Sequence, residues 1–288
     1  MNIIVSVSVI TYNQEQYIAQ TLDNIIAQKT TFPIEIVVGD DCSTDKTRTI
    51  CIEYKEKYPD LIRLRLPEKN MGSMSNWIAN IEACQGKYIA FCEGDDYWTD
   101  PHKLQKQVDF LDSHPDFSLC ANVSDVLNNG IFEKGKLPKQ TELTTTDVIL
   151  QDWGIMTASI VYRKEAFEIP DWYGTIVNGD YGLQLLTSLK GKLKILPDAM
   201  SVYRRHEGGI SHKLQPVNQA AWMTYLLYHF DQYTNRKFHK AITNKVKRLY
   251  KNQLSFAKDY NMRRAIVKLS FYNFLRPFAP FLIRNLRK

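Results

Sequence analysis

Short apolar runs alternate with amphipathic segments through the first 115 residues of the chain. The apolar runs are rich in valine and isoleucine, which favours buried strands. The segments between them carry apolar residues three or four positions apart, as a helix with one buried face does. The predicted strands are residues 5–10, 34–38, 61–66 and 88–92, and the predicted helices are residues 14–28, 46–57, 74–83 and 101–113.

Strands that alternate with helices predict an α/β fold, with a Rossmann-like, mostly parallel central sheet flanked by helices. In such sheets, ligands bind at the carboxyl ends of the strands. Polar residues follow three of the predicted strands, as Thr11-Tyr12-Asn13, as Asp40-Asp41 and as Glu93-Gly94-Asp95-Asp96. We therefore expect a binding site at this edge of the sheet.

The second half of the chain is less regular. It predicts strands at 117–126, 158–162 and 192–195, helices at 145–150 and 181–189, and a loop or hairpin at 128–139. From about residue 215 the pattern is helical and basic. We expect one domain over residues 1–214, with halves at 1–115 and 116–214, and a helical C-terminal extension over residues 215–288.

The charge of the chain is also divided. Residues 236–288 carry 15 Lys and Arg against one acidic residue, which leaves a net charge of −8 on residues 1–235. The basic segment is either a solvated helical face or a surface that contacts a second copy or anionic lipid, where the aromatic and apolar residues 271–286 can enter the interface. No nucleic-acid partner is expected, because the segment contains no recognisable module for one.

The N-terminal residues predict a buried strand rather than a signal peptide, since no basic segment or cleavage site accompanies them. No apolar run reaches the roughly 20 residues of a membrane-spanning helix. The five cysteines lack zinc-site spacing, so reduced thiols are expected. These features predict a cytoplasmic protein, with peripheral contact at the inner face of the plasma membrane left open by the basic extension.

The acidic run from Glu93 to Asp96 places three carboxylates within four residues, directly after an apolar strand. Like charges at this spacing destabilise one another unless a cation is present. Mg²⁺ and Mn²⁺ prefer carboxylate oxygens and share them with substrate phosphates. The run therefore indicates a metal–phosphate site, and the competing interpretation is a solvated acidic turn.

Two other segments at the same edge suit a nucleoside. Asp41 can accept hydrogen bonds from a base or a ribose, although an Asp at such a turn can also cap the following helix. Tyr12 offers an aromatic face on which a base can stack, although a tyrosine in a loop is an equally good interpretation of that residue alone.

Taken together, these segments resemble the inverting glycosyltransferases of family two, of the bacterial surface-polysaccharide type. The resemblance covers about residues 5–210 and is strongest over 5–115. It rests on the order and spacing of residues 9–13, 36–45, 70–72 and 86–96, followed by Pro101, Lys103 and Leu104. It implies the GT-A fold, a nucleotide-sugar donor that is usually a UDP-sugar, a divalent metal (Mn²⁺ or Mg²⁺), and inversion at the anomeric carbon.

The resemblance also implies roles for individual residues. The implied nucleotide-sugar positions are Thr11, Tyr12, Asn13, Asp40, Asp41, Asn70, Gly72 and Asp95. Asp41 would bind the base, and Asp95 and Asp96 match the metal motif, with Asp96 as the direct ligand. Many relatives have Asp where this chain has Glu93, so a ligand role does not carry over to Glu93.

An inverting transfer needs a carboxylate that deprotonates the acceptor hydroxyl. The resemblance implies that this base is Asp180, which precedes a predicted helix and can also serve as its N-cap. Asp171 and Asp152 are weaker candidates for the base, and residues 153–159 are expected to border the acceptor.

Three basic side chains, Arg204, Arg205 and His206, precede a Gly-Gly turn. Arginines suit the negative charge of a diphosphate, so both are predicted to bind the nucleotide sugar. We expect His206 to bind the metal or a phosphate, as in some relatives, and the competing interpretation is a surface histidine.

These observations favour an enzyme that transfers a hexose or N-acetylhexosamine from a UDP-sugar to a hydroxyl of a growing, lipid-linked surface glycan. One alternative is an inactive transferase-like protein that acts as an adaptor at a membrane surface. A nucleotidyltransferase is disfavoured, because the first strand is not followed by a basic, glycine-rich phosphate loop.

Overall fold

The computed structural model describes residues 3–151, 155–209 and 216–256. Its first half confirms the predicted alternation of strands and helices. The strands are β1 (Val5–Thr11), β2 (Ile34–Asp40), β3 (Ile62–Arg65), β4 (Tyr88–Phe91) and β5 (Tyr97–Trp98). The helices are α1 (Ile18–Ile26), α2 (Thr47–Lys57), α3 (Ser73–Ala83) and α4 (Lys103–Ser113).

The second half adds the remaining strands and helices. The strands are β6 (Phe117–Asn128), β7 (Ile131–Glu133), β8 (Glu142–Leu143), β9 (Val161–Arg163) and β10 (Lys192–Arg205). The helices are α5 (Thr145–Leu150), α6 (Gly179–Ser188), α7 (Pro216–Tyr233) and α8 (His239–Phe256).

One ten-stranded sheet holds these strands, in the order β3-β2-β1-β4-β9-β6-β10-β5, with β7 added to β6 and β8 added to β10. Strands β3, β2, β1 and β4 are parallel, as are β6 and β10, whereas β9 runs antiparallel between β4 and β6. The sheet is therefore mostly parallel along its first four strands, and their carboxyl ends share one edge.

The core lies where the sheet meets its helices. The side chains of β1 point alternately to the two faces of the sheet, and both faces are covered, so nearly every residue of the strand is buried. This double coverage explains why the strand is apolar over nearly its whole length. The fully buried residues on the α1 side of the core include Val5, Val7, Val9, Ile18, Leu22 and Ile25.

Strand β10 differs most from its prediction. A short strand was predicted at residues 192–195, but β10 continues to Arg205 through register shifts near Leu196 and Ala199. Those irregularities interrupt the apolar alternation, which is the signal that predicts strands. The longer strand carries Arg204 and Arg205 to the edge of the sheet where β6 ends.

The chain divides into two compact units. The first contains residues up to Thr145, Trp153–Thr175 and Gly179–His206, and the second contains Thr146–Asp152, Ile176–Asn178 and the chain from Glu207. No helix among the described residues is long and apolar enough to cross a membrane. All five cysteines are free thiols, and four are buried.

Several predicted features fall outside the described residues. They are the aromatic and apolar segment 271–286, Asp152 and its neighbours 153–154 in the expected acceptor border, and the end of the segment that follows His206.

Candidate active site

The acidic run forms a tight loop between β4 and β5. The amide of Gly94 donates to the carbonyl of Ile10 at 2.9 Å, and a Cβ at position 94 would meet side-chain atoms of Gln14 and Thr11 at 2.4 and 2.7 Å. The hydroxyl of Thr21 lies 3.0 Å from the carbonyl oxygen of Gly94 and 2.6 Å from that of Asp96. The loop is therefore fixed against the end of β1, and only glycine fits at its second position.

Asp96 points into the protein. Its side chain is buried, and its Oδ1 accepts a hydrogen bond from the amide of Arg204 at 2.8 Å. Its Oδ2 has no hydrogen-bond partner among the described residues. Burial, followed by the charges on Asp95 and Glu93, raises its pKa well above the usual range. Of its two oxygens, Oδ2 is therefore the one that a metal could engage.

Asp95 and His206 form the outward-facing pair. Asp95 Oδ2 lies 3.0 Å from His206 Nε2, and both side chains are partly exposed. The ring of Tyr17 lies 4.9 Å from the imidazole and helps to position it. The structure therefore brings together two residues that the sequence assigned to the metal.

A divalent metal fits this pair only with help from a substrate. Among the described residues, no three His, Cys, Asp or Glu side chains are gathered around one point. Mg²⁺ and comparable ions typically take one or two protein ligands together with substrate phosphates. Asp95 and His206 match that arrangement, and the unpartnered Asp96 Oδ2 is buried in the same loop.

Arg204 corrects one prediction. It is buried, its guanidinium lies between the rings of Tyr17 and Tyr97 at 5.0 and 4.4 Å, and it donates to the carbonyl of Asp95 and to the side chain of Gln20. With Nη1 and Nη2 engaged inside the protein, Arg204 stabilises the acidic loop, so its predicted contact with a diphosphate is not favoured. Arg205 is exposed and remains a candidate for that role.

The predicted nucleoside end lies on two neighbouring loops. Tyr12 is 46% exposed, so its ring is accessible for stacking, whereas Thr11 is buried and donates to the side chain of Gln14 at 2.7 Å. Asn13 has a left-handed backbone, with φ of 53°, and its side-chain oxygen accepts from the amide of Thr44 at 2.8 Å. Asn13 therefore joins the loop after β1 to the loop after β2.

Asp41 organises the loop that contains Asn70 and Gly72. Its two carboxylate oxygens accept from the amides of Met71 and Gly72 at 2.7 and 3.0 Å, and the Asn70 side chain donates to its carbonyl at 3.0 Å. Gly72 has φ of 85°, a conformation that favours glycine. These three predicted residues are therefore brought together, and the carboxylate keeps lone pairs for a ligand.

Asp40 takes a different position. It is fully buried, and its Oδ2 accepts from Arg48 Nε at 2.8 Å and from the amide of Ser43 at 3.3 Å. This ion pair gives Asp40 a structural environment behind Asp41, so a direct contact with a nucleotide sugar is not favoured.

Asp180 lies in the first turn of α6. Its Oδ1 accepts from the amide of Tyr181 at 2.8 Å, and Tyr173 donates to the carbonyl of Gly179 at 2.6 Å. Burial raises the pKa of Asp180 to about 6, although hydrogen bonds from the backbone and from Thr157 partly offset this rise. A carboxyl with this pKa is charged at neutral pH yet more basic than an exposed aspartate, which suits a general base.

Glu93 interacts electrostatically with Asp180. Burial, followed by the charges on Asp95 and Asp180, raises the pKa of Glu93 to about 8. Thr157 forms a side-chain hydrogen bond with each of these carboxyls. Thr157 lies within residues 153–159, which were expected to border the acceptor, but the sequence did not single it out, because a threonine in an irregular segment carries no recognisable signal.

The turn that carries Thr157 rests on buried polar side chains. Trp98 Nε1 donates to the carbonyl of Ala158 at 2.8 Å, and Gln107 Nε2 donates to that of Ser159 at 2.8 Å. Lys103 is fully buried, donates to Gln107 Oε1 at 2.7 Å and lies 4.3 Å from the Trp98 ring centre. Burial lowers the pKa of Lys103 to about 7. Asp171, the other described candidate for the base, is exposed.

Comparisons with known proteins agree with this arrangement. The family described as Glycosyl transferase family 2 matches residues 6–170. Uncharacterized proteins of Mycobacterium tuberculosis and Mycobacterium bovis are 38% identical over 221 residues, which span 76% of this chain and 64% of the relatives' length. The Escherichia coli UDP-Glc:alpha-D-GlcNAc-diphosphoundecaprenol beta-1,3-glucosyltransferase WfaP is 27% identical over 72% of this chain and 80% of its own length.

Two solved structures share the fold. Residues 1–349 of S. aureus TarS, in complex with UDP-GlcNAc, match with a TM-score of 0.66 over 93% of this chain and 79% of that chain, at 21% identity. The mannosyltransferase PcManGT of Pyrobaculum calidifontis, in complex with GDP-Man and Mn²⁺, matches with a TM-score of 0.59 over 97% of this chain and 83% of that chain, at 16% identity. These likenesses confirm the predicted GT-A fold. Because the family match spans more than half of its length, the chain belongs to glycosyl transferase family 2.

Proposed function

We propose that this glycosyltransferase moves a sugar from a UDP-sugar to a hydroxyl of a lipid-linked surface glycan, with inversion at the anomeric carbon. The observation that carries the proposal is the arrangement of Asp95, His206 and Asp180. Asp95 and His206, which can serve as metal ligands, lie 3.0 Å apart. Asp180, whose pKa of about 6 suits a base, interacts through its charge with Glu93 of the same acidic run.

We infer the donor from the residues at the two ends of the site. Tyr12 is accessible for stacking on a base, and Asp41 keeps lone pairs that can accept from the base or ribose. A Mn²⁺ or Mg²⁺ ion held by Asp95 and His206 would offset the charge that develops on the departing diphosphate. The names of the TarS and PcManGT structures, which include UDP-GlcNAc and GDP-Man with Mn²⁺, support a nucleotide sugar and a metal.

The reaction is a single displacement. The acceptor oxygen bonds to the anomeric carbon while the bond from that carbon to the diphosphate breaks, and the electron pair leaves with the nucleoside diphosphate. Asp180 takes the proton from the acceptor hydroxyl, and the exposed Arg205 can pair with the diphosphate. The bonds from Thr157 and Tyr181 hold the Asp180 carboxylate in place for that transfer.

We infer the acceptor from the name of one relative. WfaP is named for transfer to a sugar on diphosphoundecaprenol, which is a lipid-linked acceptor. A protein acting on such an acceptor would work at a membrane surface, which is consistent with a peripheral location. No observation on the site favours the alternative of an inactive adaptor, and turnover of a UDP-sugar would exclude it.

Thermal unfolding with UDP and Mn²⁺ tests the donor site. Ligand at about 100 times its Kd should stabilise the folded chain by about 2.7 kcal/mol, because only the folded state binds it. Asp95→Ala should abolish this stabilisation, whereas Asp60→Ala, an exposed acid on the loop before β3, should retain it. If no nucleoside diphosphate stabilises the wild type in the presence of Mn²⁺, the proposed donor site is wrong.

A further inference from the structure

Exposed apolar side chains are concentrated in one hairpin. Among the described residues, eight large hydrophobic side chains are exposed, and three of them lie within seven residues of the chain after β6. They are Ile131, Phe132 and Leu137, which are 68%, 47% and 46% exposed. Lys134, Lys136 and Lys139 are interleaved with them and are also exposed. These six residues are called the hairpin patch below.

The exposure of the hairpin patch is built into the fold. Strand β7 pairs antiparallel with β6, with Leu127 opposite Phe132. The turn between them places Asn129 and Gly130 at φ of 47° and 84°, as a tight hairpin with two left-handed residues requires. Ile131 and Phe132 are therefore presented by paired backbone, on opposite faces of β7, whereas Leu137 lies in the segment that follows the strand.

A buried carboxylate anchors the second arm of the hairpin. Asp125 accepts from the amide of Gly135 at 2.8 Å and pairs with Lys134 Nζ at 3.0 Å. A Cβ at Gly135 would meet the carbonyl oxygen of Ser124 at 2.2 Å, so this backbone lies directly on β6. The arm that leads to Lys136 and Leu137 is thus fixed against the sheet.

The hairpin begins beside the candidate active site. Strands β6 and β10 are parallel, with Asn128 opposite Arg205, and the amide of Asn129 donates to the carbonyl of Arg205 at 3.2 Å. His206, which pairs with Asp95, is the next residue. A partner that covers the hairpin patch would therefore lie next to the metal-binding pair.

The chemistry of the hairpin patch fits an anionic lipid surface. Within residues 131–139, three lysines stand against one acid, Glu133. Lys134 is the lysine that pairs with Asp125, and its Nζ lies 4.9 Å from the Phe132 ring centre. Lysines remain at the headgroup level while aliphatic and aromatic side chains enter the acyl boundary. The branched aliphatic Ile131 and Leu137 offer nothing to hydroxyl-rich sugars but favour hydrocarbon, so a bilayer fits better than a free glycan.

We propose that the hairpin patch docks this glycosyltransferase on an anionic bilayer, with Ile131, Phe132 and Leu137 entering the interface. The inference rests on the proposed transfer to a lipid-linked acceptor, because docking through this hairpin brings a membrane-bound acceptor to the edge that holds Asp95 and His206. It assigns membrane contact to a segment distinct from the basic C-terminal region.

Vesicle co-sedimentation of the full chain tests the proposal. Phosphatidylcholine vesicles with and without phosphatidylglycerol are compared for the wild type, Ile131→Thr/Phe132→Thr and Lys136→Gln/Lys139→Gln. The apolar double variant should bind phosphatidylglycerol vesicles at least about tenfold more weakly, and each lysine removed should weaken binding by about fivefold at low salt. Ile52→Thr, at an exposed isoleucine of α2, is the matched control and should bind like the wild type.

Three results would overturn the proposal. The first is a wild type that does not bind phosphatidylglycerol vesicles, and the second is a hairpin variant that binds them as tightly as the wild type. The third is a wild-type dimer that the apolar double variant converts to monomer, because the hairpin patch would then join two copies. Stabilisation by UDP and Mn²⁺ is measured on the same proteins. Its absence with vesicle binding intact would refute the donor site alone, and its presence with hairpin-independent binding would refute the docking surface alone.

Discussion

The buried Lys103 makes the stability of this protein depend on pH in a way that one substitution can isolate. Its ammonium group is fully buried beneath the candidate active site, with Gln107 Oε1 at 2.7 Å and the Trp98 ring at 4.3 Å. Desolvation lowers its pKa from 10.5 to about 7. Lys103→Met removes the titrating group and keeps a long unbranched side chain in the same space.

The magnitude follows from the pKa shift. Because folding lowers the pKa of Lys103, the charged lysine destabilises the folded state. This penalty is complete below the folded-state pKa of about 7, and it decreases as the pH rises towards the unfolded-state pKa of 10.5. At about 1.4 kcal/mol per unit, the full penalty is about 5 kcal/mol. It amounts to nearly that value at about pH 6 and about 2 kcal/mol at about pH 9. Relative to the wild type, Lys103→Met should therefore be favoured by roughly 2 to 3 kcal/mol more at about pH 6 than at about pH 9.

Urea unfolding, followed by tryptophan fluorescence at both pH values, measures this difference. The comparison between pH values removes the lost contacts with Gln107 and Trp98 from the result to first order, because they are absent from the variant throughout. Lys106→Met, at an exposed lysine of the same helix whose pKa is raised by Asp100, should show a pH-independent difference from the wild type. If the Lys103→Met difference is the same at both pH values, Lys103 is charged in the folded protein with an ordinary pKa, and the reasoning is refuted.

Three further predictions concern the proposed reaction. Asp180→Asn should keep stabilisation by UDP and Mn²⁺ but lower the rate of UDP formation from the UDP-sugar by about 10²-fold or more. The wild-type rate should fall as the pH drops through about 6, where Asp180 becomes protonated. A rate that does not change there would reject Asp180 as the base. Thr157→Val should lower kcat by about tenfold with the donor KM unchanged, because the hydroxyl positions the base. Thr157→Ser, which keeps the hydroxyl, should retain the wild-type rate. Equal rates for the valine variant and the wild type would show that Thr157 does not position the base. Tyr12→Ala should weaken UDP binding measured by calorimetry by about tenfold, as loss of base stacking does, whereas Tyr12→Phe should bind normally.

The first half of the fold was predictable because its signals are local. Residues 5–10 and 34–38 are apolar and β-branched, and the amphipathic segments between such strands have helical spacing. Parallel pairing then requires that the ends of β1, β2 and β4 share one edge, so the proximity of Tyr12, Asp41 and Asp95 follows without coordinates. Asp95 and His206 are 111 positions apart, and the resemblance to a known family supplied that link.

The direction of a side chain was not predictable. Arg204 and Arg205 are equivalent in sequence, but alternate residues of a strand face opposite ways, and the unpredicted length of β10 decides which one is buried between Tyr17 and Tyr97. The same limit applies to the adjacent acids Asp95 and Asp96, of which only the first opens outward. The contact of Thr157 with Glu93 and Asp180 was not predictable for another reason, although Thr157 lies in the expected acceptor border: the contact depends on the turn that Trp98 and Gln107 support from distant positions.

The buried support beneath that turn limits how enzymes of this kind can be recombined. Trp98, Lys103 and Gln107 belong to the half of the chain that holds the proposed donor residues. The carbonyls of Ala158 and Ser159 belong to the half that is expected to meet the acceptor. A chimera that joins the donor half of this chain to the acceptor half of a relative would break or mismatch these bonds, even if its sheet were continuous. Exchanges of acceptor specificity should therefore transfer β5 and α4 together with the turn at residues 157–159, so that both sides of the support come from one parent.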